Sequence, residues 1–258
     1  QETEAIAHTL IDKALEAGAQ DNVSALVVRV DALPETNLRD ALSGSQQFPV
    51  PPKLKVGQQI DGYTVEEQIH ASNTTLLYRV SEPRAANQTP RYLVLKTLHP
   101  DRSQDMHERS AFAHEEWLAK RVVARFFPQI ITPEHKSYLY YLTTWHEGNT
   151  LQQHLDAGEH FTIPDVITHG TKLVRAIGAL HRRSIIHRDI KPGNIHLGKD
   201  GELRILDLGV AQSGLEAEDE VRAPRAGTPS FLAPEQFNNA PASQQTDLYS
   251  TGAVSYTH

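Results

Sequence analysis

Two hydrophobic periods divide this chain. Ile6, Leu10, Ile11 and Leu15 recur at helical spacing, which predicts an amphipathic helix over 3–17 with those residues as its packing face. Gly18 is the expected stop. Val23 to Val30 reads Val-Ser-Ala-Leu-Val-Val-Arg-Val and is expected to be a buried strand. Pro34, Pro49, Pro51 and Pro52 interrupt any regular pattern over 31–57, so that stretch is read as a linker. From Gly62 short β-rich runs take over, at Tyr63–Ile69, Thr75–Val80 and Arg91–Thr97. A helix with Phe112, Leu118 and Val122 follows, and then a strand at Tyr138–Thr144. After Glu147-Gly148 the pattern is mostly helical, at Leu151–Leu155 and Ile163–Arg183. Strands followed by helices predict an α+β arrangement with two lobes.

Composition narrows the classes. The 258 residues are 39% hydrophobic and 22% charged, as expected of a globular protein, and allow one large domain or two small ones. A net charge of -7 argues against a general nucleic-acid partner, whose footprint would be basic. There is no cysteine, which rules out disulfides and thiolate metal sites and is compatible with a cytoplasmic location. No apolar run approaches the roughly 20 residues of a membrane helix. The acidic start Gln1-Glu2-Thr3-Glu4 lacks a signal-peptide pattern and an initiator Met, which fits an internal starting point.

The chemistry concentrates in one octet, His187-Arg188-Asp189-Ile190-Lys191-Pro192-Gly193-Asn194. Its spacing matches H-R-D-x-x-x-x-N. Asp207-Leu208-Gly209 stands where D-F-G would, Ala233-Pro234-Glu235 matches A-P-E, and Leu93-Val94-Leu95-Lys96 fits the V-A-I-K strand. In this order the segments resemble the Hanks-type protein kinases. The resemblance implies a bilobal fold with a β-rich small lobe (about 58–146) and an incomplete helical large lobe (147–258). It implies ATP and Mg²⁺ as cofactors and protein Ser/Thr as acceptors. Phosphoryl transfer needs charge neutralisation on the phosphates and an aimed hydroxyl more than covalent chemistry.

The resemblance gives each residue a role. Asp189 would take or orient the acceptor proton, and Asn194 and Asp207 would hold Mg²⁺. Lys96 would reach the α/β-phosphates. Its helical partner could be Glu115 or Glu116 by charge, and the Phe112-x-x-Glu115 spacing favours Glu115. Thr144 and His146, in the hinge before Glu147-Gly148, would offer backbone groups to adenine. Lys191 and Gly227-Thr228 mark Ser/Thr rather than Tyr acceptors. Arg188 suits a loop ordered by an anion. Glu216, Glu218, Asp219 and Glu220 either replace a phosphate there or form a solvated loop.

Two departures stand out. Ile69-His70-Ala71-Ser72-Asn73-Thr74-Thr75 occupies the glycine-rich loop position without a glycine, leaving Ser72 as a candidate phosphate contact. A pseudokinase that serves as a nucleotide-binding scaffold is the alternative this raises. An atypical small-molecule kinase is disfavoured by Lys191 and Ala233-Pro234-Glu235. The chain also stops at His258, inside a helix beginning near Asp247, whose Asp in the family braces the catalytic loop. Further large-lobe helices, one with an Arg partner for Glu235, are expected beyond, and without them the outer face of 163–183 should lack cover.

Near the start, Gly18 to Val28, with Asp21-Asn22 before a strand-like run, resembles the C-terminal end of the metal-dependent (PPM) protein phosphatases. That resemblance implies Asp21 as a ligand of Mn²⁺ or Mg²⁺; an Asp-Asn turn is the plainer reading. The combined expectation is an internal piece of a bifunctional phosphatase–kinase. Its parts would be a helix-strand remnant at 1–30, a linker at 31–57 and a kinase domain at 58–258, with any membrane anchor outside them.

Overall fold

The computed structural model describes residues 2–19, 22–27, 38–82, 89–213, 229–238 and 240–256. The chain divides into two compact units, Gln1–Asp40 and Ala41–His258. In the first, α1 (Glu2–Glu16) forms as the period predicts. Gly18, at φ 87°, ends it: Gly18 N–H donates to Leu15 O and Ala19 N–H to Ala14 O, closing the last carbonyls in a left-handed turn. Ile6, Leu10 and Leu15 are exposed, so the expected packing face lies uncovered among the described residues. The expected strand at Val23–Val30 also departs from expectation. Residues 22–27 are irregular and Leu26 is 89% exposed, while Val28–Val30 lie outside the described residues. A strand needs a neighbour to pair its N–H and C=O groups, and no described segment of this unit supplies one.

Helix α2 (Leu38–Ser45) lies inside the stretch read as a linker. Beyond it, Phe48 and Val50 pack on a buried cluster and Leu54 joins the small-lobe core. Proline blocks periodic structure there but not burial.

The small lobe is a six-stranded antiparallel sheet. Its strands are β1 (Gln59–Ile60), β2 (Tyr63–Ala71), β3 (Thr75–Ser81), β4 (Tyr92–Leu98), β5 (Ile130–Ile131) and β6 (Tyr140–Thr144), in the order β1-β2-β3-β4-β6-β5. Alternation along β3 and β4 puts Leu76, Tyr78, Val80, Leu93 and Leu95 into one core with Tyr63, Val65, Tyr140 and Leu142. The residues between them face the other way, and there α3 (Met106–Arg121) packs through Phe112. The Asp105 carboxylate caps α3, accepting from the N–H groups of His107 and Glu108.

The large lobe begins with β7 (Gly148–Thr150), α4 (Leu151–Asp156) and α5 (Ile163–His181). Capping boxes start both helices, Thr150 with Gln153 and Thr162 with Asp165. Helix α5 buries Leu173, Ala176, Ile177, Ala179 and Leu180, while Ile163, Ile167 and Val174 are exposed on its outer side. Among the described residues four short strands and a short helix follow: β8 (Ile185–Ile186), β9 (Ile195–Gly198), β10 (Leu203–Ile205), β11 (Gln212–Ser213) and α6 (Pro234–Phe237). The last described helix is α7 (Gln244–Tyr256). No described helix is long and apolar enough to cross a membrane.

Candidate active site

Lys96 reaches the cleft because β4 alternates: Leu93 and Leu95 enter the sheet core and Lys96 points to the opposite face. Tyr141 on β6 is its direct cross-strand partner. Glu115 enters from α3. The Lys96 Nζ lies 2.5 Å from Glu115 Oε1 and 3.0 Å from Asp207 Oδ1, and the Tyr141 hydroxyl donates to the same Glu115 oxygen at 2.7 Å. Glu116 turns elsewhere, to Lys120 at 3.2 Å and Lys136 at 3.4 Å. Of the two candidate carboxylates, then, it is Glu115 that meets Lys96. Tyr141 escaped the sequence reading; the parity of the strand, which sets it opposite Lys96, was the available signal.

Burial and charge set the electrostatics of this group. Desolvation pushes the Glu115 carboxyl up, Lys96 pulls it down, and Asp207 raises it again, leaving it at about 7. For Lys96, desolvation is outweighed by Asp207 and Glu115, so its ammonium is held above the ordinary lysine range. Burial also works to raise Asp207, but Lys96, Glu115 and the Gly209 N–H (2.9 Å) together hold it well below the usual carboxylate range. Lys96 is therefore a fixed cation between two unequal carboxyls.

Below this group the catalytic-loop octet wraps around its own polar atoms. Lys191 Nζ is 2.6 Å from Asp189 Oδ2. The Asn194 amide nitrogen donates to Asp189 O at 2.9 Å and to Oδ2 at 3.2 Å, leaving its amide oxygen as the remaining acceptor. Asp247, fully buried on α7, accepts from the N–H groups of His187 (2.9 Å) and Arg188 (2.8 Å) and pairs with His181 Nε2 (2.8 Å). Those bonds hold Arg188 at φ 72°, a backbone state that costs a non-glycine residue about 1–2 kcal/mol. Gln236, after Ala233-Pro234-Glu235, donates to Arg188 O at 3.2 Å. Glu235 itself accepts from the Thr246 hydroxyl at 2.8 Å.

The β2–β3 hairpin is closed on itself. Ser72 Oγ accepts from the N–H groups of Thr74 (3.2 Å) and Thr75 (2.9 Å), and Ser72 N–H donates to Thr75 O at 2.9 Å. The Ser72 hydroxyl, a candidate phosphate contact, thus serves the turn. At the hinge, Thr144 N–H donates to Gln129 O at 3.0 Å, and Thr144 Oγ1 lies 2.9 Å from His146 Nε2. Burial and Arg204 lower the His146 ring to about 4, so it is neutral near pH 7. Gly148 has no room for a side chain: a Cβ there would sit 2.1 Å from Leu197 O.

No three His, Asp or Glu side chains among the described residues form a self-sufficient metal site. The Asp207 carboxylate and the Asn194 amide oxygen are nevertheless the hard donors that suit Mg²⁺, which usually takes one or two protein ligands and completes its shell with water and phosphate oxygens. The donor set therefore fits. Asp21, Gly227-Thr228 and the four acidic residues from Glu216 to Glu220 lie outside the described residues.

Comparison with known proteins agrees with this geometry. The protein kinase domain family matches residues 81–258, more than half of the chain. A probable serine/threonine-protein kinase of Clostridium acetobutylicum is 26% identical over 195 residues, covering 75% of this chain and 29% of its own length. The serine/threonine-protein kinase PknD of Chlamydia caviae is 30% identical over 195 residues, with 64% and 21% covered. Human serine/threonine-protein kinase Sgk2 is 36% identical over 125 residues, with 48% and 33% covered. The chain thus spans a third or less of the length of these relatives. With a matching two-lobed fold and catalytic-loop geometry, the chain belongs to the protein kinase domain family.

Proposed function

We propose that this protein is a Ser/Thr protein kinase that moves the γ-phosphoryl group of ATP onto protein hydroxyls. The observation that carries the reading is the set Lys96–Glu115–Asp207, in which buried Lys96 and Glu115 meet the partly exposed Asp207 and so bridge the lobes, together with the Asp189–Lys191–Asn194 loop. Lys96, fixed by Glu115, binds the α/β-phosphates as a point charge. Asp207 and Asn194 hold Mg²⁺, which neutralises charge on the phosphate oxygens. Asp189 takes the proton of the acceptor hydroxyl as its oxygen bonds to the γ-phosphorus and the bond to ADP breaks. Lys191, already on Asp189, balances the charge of the transferring group. Thr144 and His146 offer hinge backbone groups to adenine. The relatives' Ser/Thr names and the Lys191 position favour Ser and Thr over Tyr, and the proposed location is the cytoplasm. The test is Mg²⁺-dependent transfer of labelled phosphate from ATP to a protein acceptor, followed by phosphoamino-acid analysis. Label on Ser and Thr is expected; label on Tyr alone would overturn the assignment.

One observation favours a second reading. Because Ser72 ties up the N–H groups of its own turn, the hairpin offers phosphate fewer donors than an open glycine loop does. A nucleotide-binding scaffold would then bind Mg·ATP and transfer nothing, the outcome that separates it from the kinase reading.

We also propose that residues 1–30 are the end of a PPM-type phosphatase domain, joined by a linker over 31–57 to a kinase domain over 58–258. Supporting this is the exposed apolar side of α1, a face of the kind a larger domain covers. Mn²⁺-dependent release of phosphate from a phosphoprotein, lost in Asp21→Ala, is expected of the full-length protein. Release that persists in that variant would sink the role of Asp21.

A further inference from the structure

Helix α3 must hold Glu115 against Lys96, yet much of what it buries is polar, including Arg109, His114 and Glu115. Arg109 shows what anchors it. The residue is 7% exposed, and its guanidinium donates through Nη2 to the carbonyl oxygens of Phe48 (2.7 Å), Ser45 (2.9 Å) and, at the limit, Gln46 (3.5 Å). Through Nη1 it donates to Ser103 O at 3.1 Å. A rigid planar fork with five donors suits such convergent acceptors, which a lysine cannot match.

The segment that Arg109 grips continues across the sheet. Pro49 O accepts from Leu139 N–H at 2.8 Å, and Leu54 N–H donates to the Tyr78 hydroxyl at 3.2 Å. Phe48 and Val50 pack on Leu98, Phe112, Leu139 and Tyr141. The Phe112 and Tyr141 rings are 5.2 Å apart, and Tyr141 donates to the Glu115 oxygen that meets Lys96. Packing and hydrogen bonds therefore run unbroken from residues 45–50 through Phe112 and Tyr141 to Glu115 and Lys96.

We propose that residues 45–54 are a strap that seats α3, and that Arg109 is the positioning residue coupling the strap to Glu115. A loosened strap then changes how Lys96 is presented to ATP. Because Lys96 contacts phosphates in the ground state as well as the transition state, loosening the strap raises the KM for ATP more than it lowers kcat. This inference rests on the kinase reading.

The experiment compares wild type with Arg109→Ala, Arg109→Lys and Phe48→Ala in the full chain. It measures the KM for ATP, the KM for protein acceptor and kcat, together with amide hydrogen exchange over 106–121. The expected result for Arg109→Ala is a rise of about tenfold in the KM for ATP. Arg109→Lys should be intermediate, the acceptor KM unchanged, and exchange faster in α3 but not in β3 or β4. An unchanged KM for ATP with unchanged α3 exchange would overturn the strap. Should Arg109→Ala fail to fold, Arg109→Lys and Phe48→Ala decide by the same readouts. Absence of transfer by wild type would count against the kinase reading alone, and α3 exchange in the variants would still decide the strap.

Discussion

Glu115 is the side chain of this site from which a pH dependence is expected. Its carboxyl sits at about 7 because burial and Asp207 outweigh Lys96. Above that pH it is a carboxylate and pairs with Lys96; below it the proton removes the pairing. The kcat/KM for ATP should therefore rise as pH increases through about 7. Glu115→Gln should lower the plateau and flatten that limb, and a limb of unchanged shape in the variant would refute the assignment. The stability sign is opposite. A carboxyl raised above its ordinary 4.5 favours the folded state most fully below 4.5, and that contribution is lost as pH rises through about 7. Asp207 behaves in reverse: its depressed value contributes above its ordinary 3.8 and is lost only in strong acid. Between pH 5 and pH 8 (roughly, given the breadth of a titration) only Glu115 of this group titrates. The shared hydroxyl of Tyr141 could not be foreseen from charge patterning, since a tyrosine in an apolar strand reads as core.

At the level of elements, α7 matters for what it braces. Asp247 satisfies two backbone N–H groups of the catalytic loop and one imidazole from α5, all without solvent. Asp247→Asn puts an N–H₂ among those donors and leaves at least one unpaired. The expected cost is about 1–3 kcal/mol of stability with a marked loss of kcat, measured by chemical denaturation and steady-state rates. A variant as stable and active as wild type would show that Arg188 holds its left-handed backbone without this carboxylate. The long periodic elements, β2 to β4, α3, β6 and α5, were legible in the sequence because each buries one face. The two-residue strands β1, β5, β8 and β11 were not, since two residues have no period. The strap was hidden for a related reason: Pro49, Pro51 and Pro52 erase periodicity, and its partner Arg109 reads as helix surface. Val23–Val27 misled in the other direction, because an apolar run names a strand only where a neighbour exists to pair with it.

Across the molecule, the candidate site is a meeting of two lobes that the order of motifs had already paired. Lys96 and Glu115 come from the sheet side, and Asp189, Asn194 and Asp207 from the helical side, joined directly by the 3.0 Å contact of Lys96 with Asp207. The order of motifs identified the parts; the three-dimensional closeness of Glu115 rather than Glu116, and the closed hairpin at Ser72, required the fold. On the proposed function Asp189 would serve the acceptor hydroxyl and Lys96 the nucleotide, so their losses should differ in kind. The most direct measurement is the steady-state rate of γ-phosphoryl transfer to a Ser/Thr protein substrate by wild type and Asp189→Asn over a range of ATP concentrations. The expected result is a fall in kcat of about 10²–10⁴-fold with the KM for ATP unchanged. Equal rates from the two proteins would contradict the assignment of Asp189 and, with it, the kinase reading.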